Sequence, residues 1–190
     1  MVSNRERRMW WLSVASLPVL VAAAVAINAW RNAADYRHRI ETDIAQGADQ
    51  LDYAGARWQL DKVRLIGDGR DTLVRFPGQM RLIIVRMEAT ATRDIGEDWG
   101  QCEVSLTDSV GRRWLPLDVS LSNDISRDLD PKVTPVSGCG ITSLTPPRQD
   151  HAALIEEKFV VPTNAVPFLS VRLSVAASRP KAIGFPLKLN

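Results

Sequence analysis

Apolar positions follow two different rhythms along this chain. Residues 9–30, MWWLSVASLPVLVAAAVAINAW, form a run of 22 without a single charge. At about 1.5 Å per residue, a helix of that length reaches about 33 Å, enough for a bilayer core of about 30 Å. Trp10 and Trp11 mark one end and Trp30 the other. Indole rings favour the headgroup zone, because they join an apolar body to an N–H that needs a partner. Pro18 is tolerable inside such a helix. A cleaved signal peptide is the competing reading, with Ala24, Val25 and Ala26 as the small residues before the cut. The apolar core of a signal peptide is usually about 7–15 residues, shorter than this one.

The sequence predicts that the helix continues as a stalk through residues 31–55. Ala33, Tyr36, Ile40, Ile44, Ala48 and Leu51 recur at spacings of three and four. Asp35 with Arg39, and Arg39 with Asp43, make opposite-charge pairs at i,i+4. The stripe reads as packing against the chain's own domain or as a seam for self-association.

From Ala56 the period changes to two. Ile83, Val85, Met87, Ala89 and Ala91 share one face of a strand, with Arg86, Glu88, Thr90 and Thr92 on the other. Cys102, Val104 and Leu106 alternate with polar neighbours, as do Leu169, Val171, Leu173 and Val175. This is the pattern of antiparallel strands half-buried in a sandwich. Trp58 and Leu60 are out of phase with Val63 and Leu65, which predicts a bulge near Asp61 and Lys62. Pro186 predicts that the last strand lies at an edge. Eight strands are expected, at 57–66, 72–76, 80–92, 102–107, 112–118, 155–161, 169–176 and 183–189, with a long loop over 119–154. The predicted fold is therefore an immunoglobulin-like antiparallel β-sandwich over 56–190, behind a transmembrane helix and a helical stalk.

Charge refines this picture. The chain has 24 Lys+Arg and 22 Asp+Glu, a net of +2. Arg5, Arg7 and Arg8 against Glu6 account for that excess, leaving 21 basic and 21 acidic residues beyond position 30. A balanced main domain argues against nucleic acid as a partner, since phosphate backbones demand a concentrated basic face. The three arginines instead favour a cytoplasmic tail over residues 1–8 and an exported C-terminal domain. Arginine outnumbers lysine 19 to 5, the usage of a GC-rich bacterial genome. The expected location is the bacterial inner membrane, with the sandwich in the periplasm or outside the cell.

Residues 106–116 (LTDSVGRRWLP) resemble the D-x-x-G, R-aromatic hairpin of telokin-like bacterial ectodomains. Residues 157–162 (EKFVVP) are similar to their late strand ending in proline, and 168–176 fit the strand that follows. The resemblance implies an immunoglobulin-like sandwich on a membrane or lipid anchor and supplies no catalytic residues. The paired cysteines and the insert at 119–150 depart from it.

Candidate chemistry is sparse. Cys102 is in phase with the core, and Cys139 sits between two glycines. Three readings stand for the pair: a structural disulfide, two buried thiols, or a redox or metal pair aided by His151. No C-x-x-C occurs. His38 and His151 are not paired by spacing. Asp124, Asp128 and Asp130 lack the glycine turn and ligand order of a calcium loop. No catalytic residue, metal site or cofactor is expected. Arg112, Arg113 and Trp114 at the hairpin could form an interaction patch, the alternative being a core tryptophan with solvated arginines. The functional expectation is a noncatalytic accessory subunit of a membrane complex, touching lipid through 9–30 and a protein partner through the sandwich. The alternative is a periplasmic metal-handling or redox assembly factor using Cys102 and Cys139.

Overall fold

A computed structural model describes residues 4–37, 40–47, 49–67, 76 and 78–189. The chain divides into two units, Met1–Ile40 and Glu41–Asn190.

The first unit is one helix, α1 (Asn4–Arg37), with Pro18 inside it. It is long and apolar enough to cross a membrane. Three of its polar side chains return their donors to the helix itself. Ser13 Oγ donates to Met9 O at 3.1 Å, Ser16 Oγ to Ser13 O at 2.9 Å, and Asn28 Nδ2 to Ala24 O at 3.1 Å. Trp10 and Trp11 meet edge to face at 5.0 Å.

The second unit is a sandwich of two sheets. The four-stranded sheet has the order β2-β3-β4-β7, with β2 (Gln50–Tyr53), β3 (Ala56–Ile66), β4 (Met80–Ala91) and β7 (Ala152–Pro162). The five-stranded sheet has the order β1-β9-β8-β5-β6, with β1 (Asp43–Gln46), β5 (Glu103–Thr107), β6 (Arg113–Trp114), β8 (Ser170–Ser174) and β9 (Lys181–Pro186). Two short helices, α2 (Val119–Leu129) and α3 (Cys139–Thr142), lie between β6 and β7 in sequence.

Inward-facing residues of the two sheets make the main core, including Trp58, Val85, Met87, Leu106, Phe159 and Phe185. Trp58 and Trp99 are fully buried, 4.9 Å apart. Their indole N–H groups donate to Tyr53 O and Ala54 O, both at 3.0 Å. Those carbonyls sit at the two-residue turn between β2 and β3, where Ala54 and Gly55 both have positive φ. That is the turn geometry matching the twist of a tight hairpin. Tyr53 Oη ties the sheets together, donating to Lys181 O and accepting from Val175 N–H.

Several boundaries differ from the sequence reading. The helical stalk does not extend to residue 55. β1 pairs parallel with β9, and β2 pairs antiparallel with β3. Weak helix propensity loses here to the unsatisfied backbone edges of a sheet. Both predicted charge pairs involve Arg39, which lies outside the described residues, as do His38, Ala48 and most of the expected strand at 72–76. Because β1 covers its other side, β9 is not an edge. Pro186 lies past Gly184, the last residue that β1 pairs with.

The stretch 119–154 is not mostly loop, since it holds α2, α3 and the start of β7. The expected strand at 112–118 shortens to two residues. There the chain leaves its sheet, and Leu117 N–H donates to Lys158 O of β7 at 2.8 Å. The expected irregularity in β3 is present, with the register against β4 shifting between Leu60 and Lys62.

Candidate functional site

The four-stranded sheet has a covered outer face. Leu82 and Ile84 of β4 alternate with the inward residues, yet both are buried. They form a second small core with Ile66 of β3 and Ile125 of α2, backed by Leu121, Leu129 and Val160. α2 forms because Leu121, Ile125 and Leu129 recur every four residues, and because Asp118 caps its start by accepting Leu121 N–H at 3.0 Å. The chain after α2, residues 130–138, completes an arch over the sheet.

Charged side chains stand beneath and beside this arch in two cross-strand rows. Lys62, Arg86 and Glu156 form one, and Arg64, Ile84 and Lys158 the next. The β3 bulge creates this arrangement, since it turns Val63 toward the core and leaves Lys62 and Arg64 on the outer face. Glu156 lies at the centre. Its Oε2 accepts from Arg86 Nη2 at 2.6 Å and Nε at 3.1 Å, and its Oε1 accepts from Lys158 Nζ at 2.8 Å. Lys158 Nζ also donates to Ser122 Oγ of α2 at 3.2 Å. The Lys158 side chain is 1% exposed, that of Glu156 9% and that of Arg86 32%. Burial alone would raise the Glu156 carboxyl. The hydrogen bonds and charges of Lys158 and Arg86 outweigh burial and hold it below the ordinary carboxylate range.

Cavities open beside this cluster. One, of about 220 Å³, is lined by Arg64, Arg86, Lys158, Glu156 and, from the arch, Leu129, Asp130 and residues 133–136. Another, of about 320 Å³, is lined by Val119, Asn123, Arg127, Ile141, Glu156 and Glu157, among others. Glu157 points the opposite way from Glu156, in phase with Ile155 and Phe159 on the edge strand. Its Oε1 accepts Cys139 N–H at 2.7 Å, at the start of α3. Desolvation raises the Glu157 carboxyl above its ordinary value, and the Cys139 N–H and Lys158 only partly offset that. Gly138 leaves room for this carboxylate, because a Cβ at that position would lie 2.6 Å from Glu157 Oε1.

Cys102 and Cys139 form a disulfide with a Cα–Cα distance of 5.4 Å. It fixes α3 to the start of β5 beside Glu157. Cys139 is fully buried. His151 is exposed, its Nδ1 2.9 Å from Gln149 O. Among the described residues, no group of three or more His, Cys, Asp or Glu side chains is arranged to hold a metal ion.

The expected patch at 112–114 is divided. Arg112 pairs with Asp108 at 2.7 Å and lies 5.4 Å above the Trp114 ring. Trp114 packs against the main core. Arg113 turns to the other face and pairs with Glu103 at 2.9 Å and Glu41 at 3.2 Å. There Glu41 also accepts Ser174 Oγ and lies near Arg172, closing a network with Arg179 and Glu103. Trp10, Trp11, Trp30, Arg5, Arg7 and Arg8 are all exposed on α1. Sequence reasoning missed the arch cluster entirely. Its signal was the unbroken apolar run of residues 82–85, which marks a strand buried on both faces.

No family model matches this chain, and no curated protein does. Three solved structures resemble it. The yjhA protein from Bacillus subtilis has a TM-score of 0.45 at 8% identity, covering 74% of this chain and 99% of that one. An uncharacterized beta-sandwich protein from Clostridium difficile 630 has a TM-score of 0.43 at 8% identity, covering 78% and 96%. A conserved hypothetical protein from Bacillus anthracis has a TM-score of 0.42 at 9% identity, covering 70% and 91%.

Proposed function

We propose that this chain is a single-pass protein of a bacterial inner membrane whose exported immunoglobulin-like domain is a noncatalytic accessory subunit of a membrane complex. Support for the span comes from α1. It carries tryptophan near both ends of its apolar stretch, and Ser13, Ser16 and Asn28 bond to its own backbone, as polar groups in hydrocarbon must. The arginines at 5, 7 and 8 favour a cytoplasmic N-terminus, and the disulfide suits an oxidising compartment on the far side.

Support for the immunoglobulin-like reading comes from strand order. The order β3-β4-β7 facing β6-β5-β8-β9 corresponds to A-B-E facing C′-C-F-G. Strand D of constant-type domains is replaced by α2 and α3. The observation that carries the interaction role is the arch site, where buried charge lines an open cavity.

Mild detergent extraction of the tagged protein at native expression, followed by native sizing and mass spectrometry, tests this reading. A discrete complex with a stoichiometric second polypeptide is expected. A monomer alone would overturn the proposal.

A further inference from the structure

The Arg86–Glu156–Lys158 set is short of one negative charge. Two cations share a single carboxylate, and the ammonium of Lys158 is almost wholly removed from water. Burying a cation without a full counter-charge is costly, and here it leaves a net positive field beside the cavity. Lys158 spends two of its three N–H donors, on Glu156 and Ser122. Arg86 spends Nε and Nη2 on one oxygen of Glu156. Arg64 lines the same cavity, and among the described residues it enters no ion pair. Lys62 joins Arg64 and Arg86 around a smaller adjoining hollow of about 40 Å³. Against these four cations the cavity lining sets Glu156 and Asp130, with Asp130 Oδ1 taken by Lys132 N–H at 3.0 Å, and outside the lining the buried Glu157 also acts on Lys158.

An oxyanion in the 220 Å³ cavity would balance this charge and take the unused donors. Guanidinium groups favour carboxylate and phosphate oxygens for their matching fork geometry. The volume lies below the roughly 300–1,000 Å³ of pockets that enclose whole small ligands. It therefore suits the end group of something larger. The apolar side of the cavity, from Leu129, Val133, Pro135 and Val136, suits a short aliphatic stem. We propose that this cavity receives a carboxylate from an acidic segment of the partner polypeptide. This rests on reading the domain as an interaction subunit.

The test is calorimetric titration of the full chain in detergent micelles at low salt, with N-acetylated, C-amidated tetraglutamate as the probe. Saturable one-to-one binding is expected, with no heat from the matching tetraglutamine peptide. Arg64→Gln, an exposed change that leaves the buried set intact, should weaken binding at least tenfold, about 1.4 kcal/mol. Arg112→Gln at the distant hairpin should leave it unchanged. Absence of binding, or equal binding by Arg64→Gln, would overturn the proposal. So would binding of inorganic phosphate with tetraglutamate silent, which would assign the cavity to a small anion.

Partner recovery separates the two levels of the reading. A partner recovered equally by wild type and Arg64→Gln defeats the cavity proposal alone. No partner recovered by either defeats the accessory-subunit reading.

Discussion

Replacing Glu156 by Gln should unfold this domain more readily than any other single change at the arch. Among the described residues, this carboxylate is the one that ion-pairs with both Lys158 and Arg86. Glutamine keeps one oxygen acceptor, but its NH₂ must face one of the two cations. Each charge-assisted hydrogen bond is worth about 1.5–3 kcal/mol. Arg86 is a third exposed, so water replaces much of its share. The expected loss is about 3 kcal/mol, within the range for breaking a buried ion pair. For the second unit, residues 41–190, that corresponds to a fall in Tm of about 6–12 °C.

Thermal unfolding of the full chain in detergent, followed by near-ultraviolet circular dichroism of the buried Trp58–Trp99 pair, measures it. Adding Lys158→Met to Glu156→Gln removes the stranded ammonium and should recover more than half of the loss. The pH dependence has a definite sign. The native Glu156 pKa is depressed, so its stabilisation is present above the unfolded value of about 4.3 and is lost as pH falls through the lower native value. The gap between wild type and Glu156→Gln should narrow over that acid range. A loss below about 1 kcal/mol, or a double variant no more stable than the single one, would refute the assignment of a shared buried counter-charge.

Three further outcomes are expected. Replacing Cys102 and Cys139 by serine opens a loop with a sequence separation of 37 and should cost about 4 kcal/mol in denaturant unfolding. Gly138→Ala drives a methyl group into the Glu157 carboxylate and should cost about 1–3 kcal/mol, with faster amide exchange at Cys139. Glu157→Gln should stabilise the protein at neutral pH. The raised native pKa means that Glu157 favours folding below its unfolded pKa of about 4.3 and loses that contribution as pH rises through the native value, so the advantage of the amide should vanish in acid.

The strands with clear alternation were legible in the sequence. β4, β5 and β8 each put one apolar face on the core, and the phase change in β3 announced its bulge. β1 and β2 were not legible. Each has four residues, and backbone pairing to an existing edge, rather than side-chain pattern, makes them strands. α2 was hidden by its serines, asparagine and aspartates, which read as loop, although Asp118 and the four-residue spacing of Leu121, Ile125 and Leu129 mark it. The arch site was hidden for a related reason. Glu156 and Lys158 occupy the polar phase of β7 and look like a solvated face until a helix is known to lie over them. At 112–114 the alternation sends Arg113 to the opposite side from Arg112 and Trp114, so the three do not share one face.

The proposed docking of a partner at the arch of a membrane-anchored sandwich can be read by photo-crosslinking in intact membranes. A photoreactive amino acid at Thr134, exposed on the arch, is compared with one at Lys188, exposed after β9. One discrete heavier adduct is expected from position 134, reduced by Arg64→Gln, and none from position 188. Uncrosslinked monomer from both positions, or the same adduct from both, would contradict it.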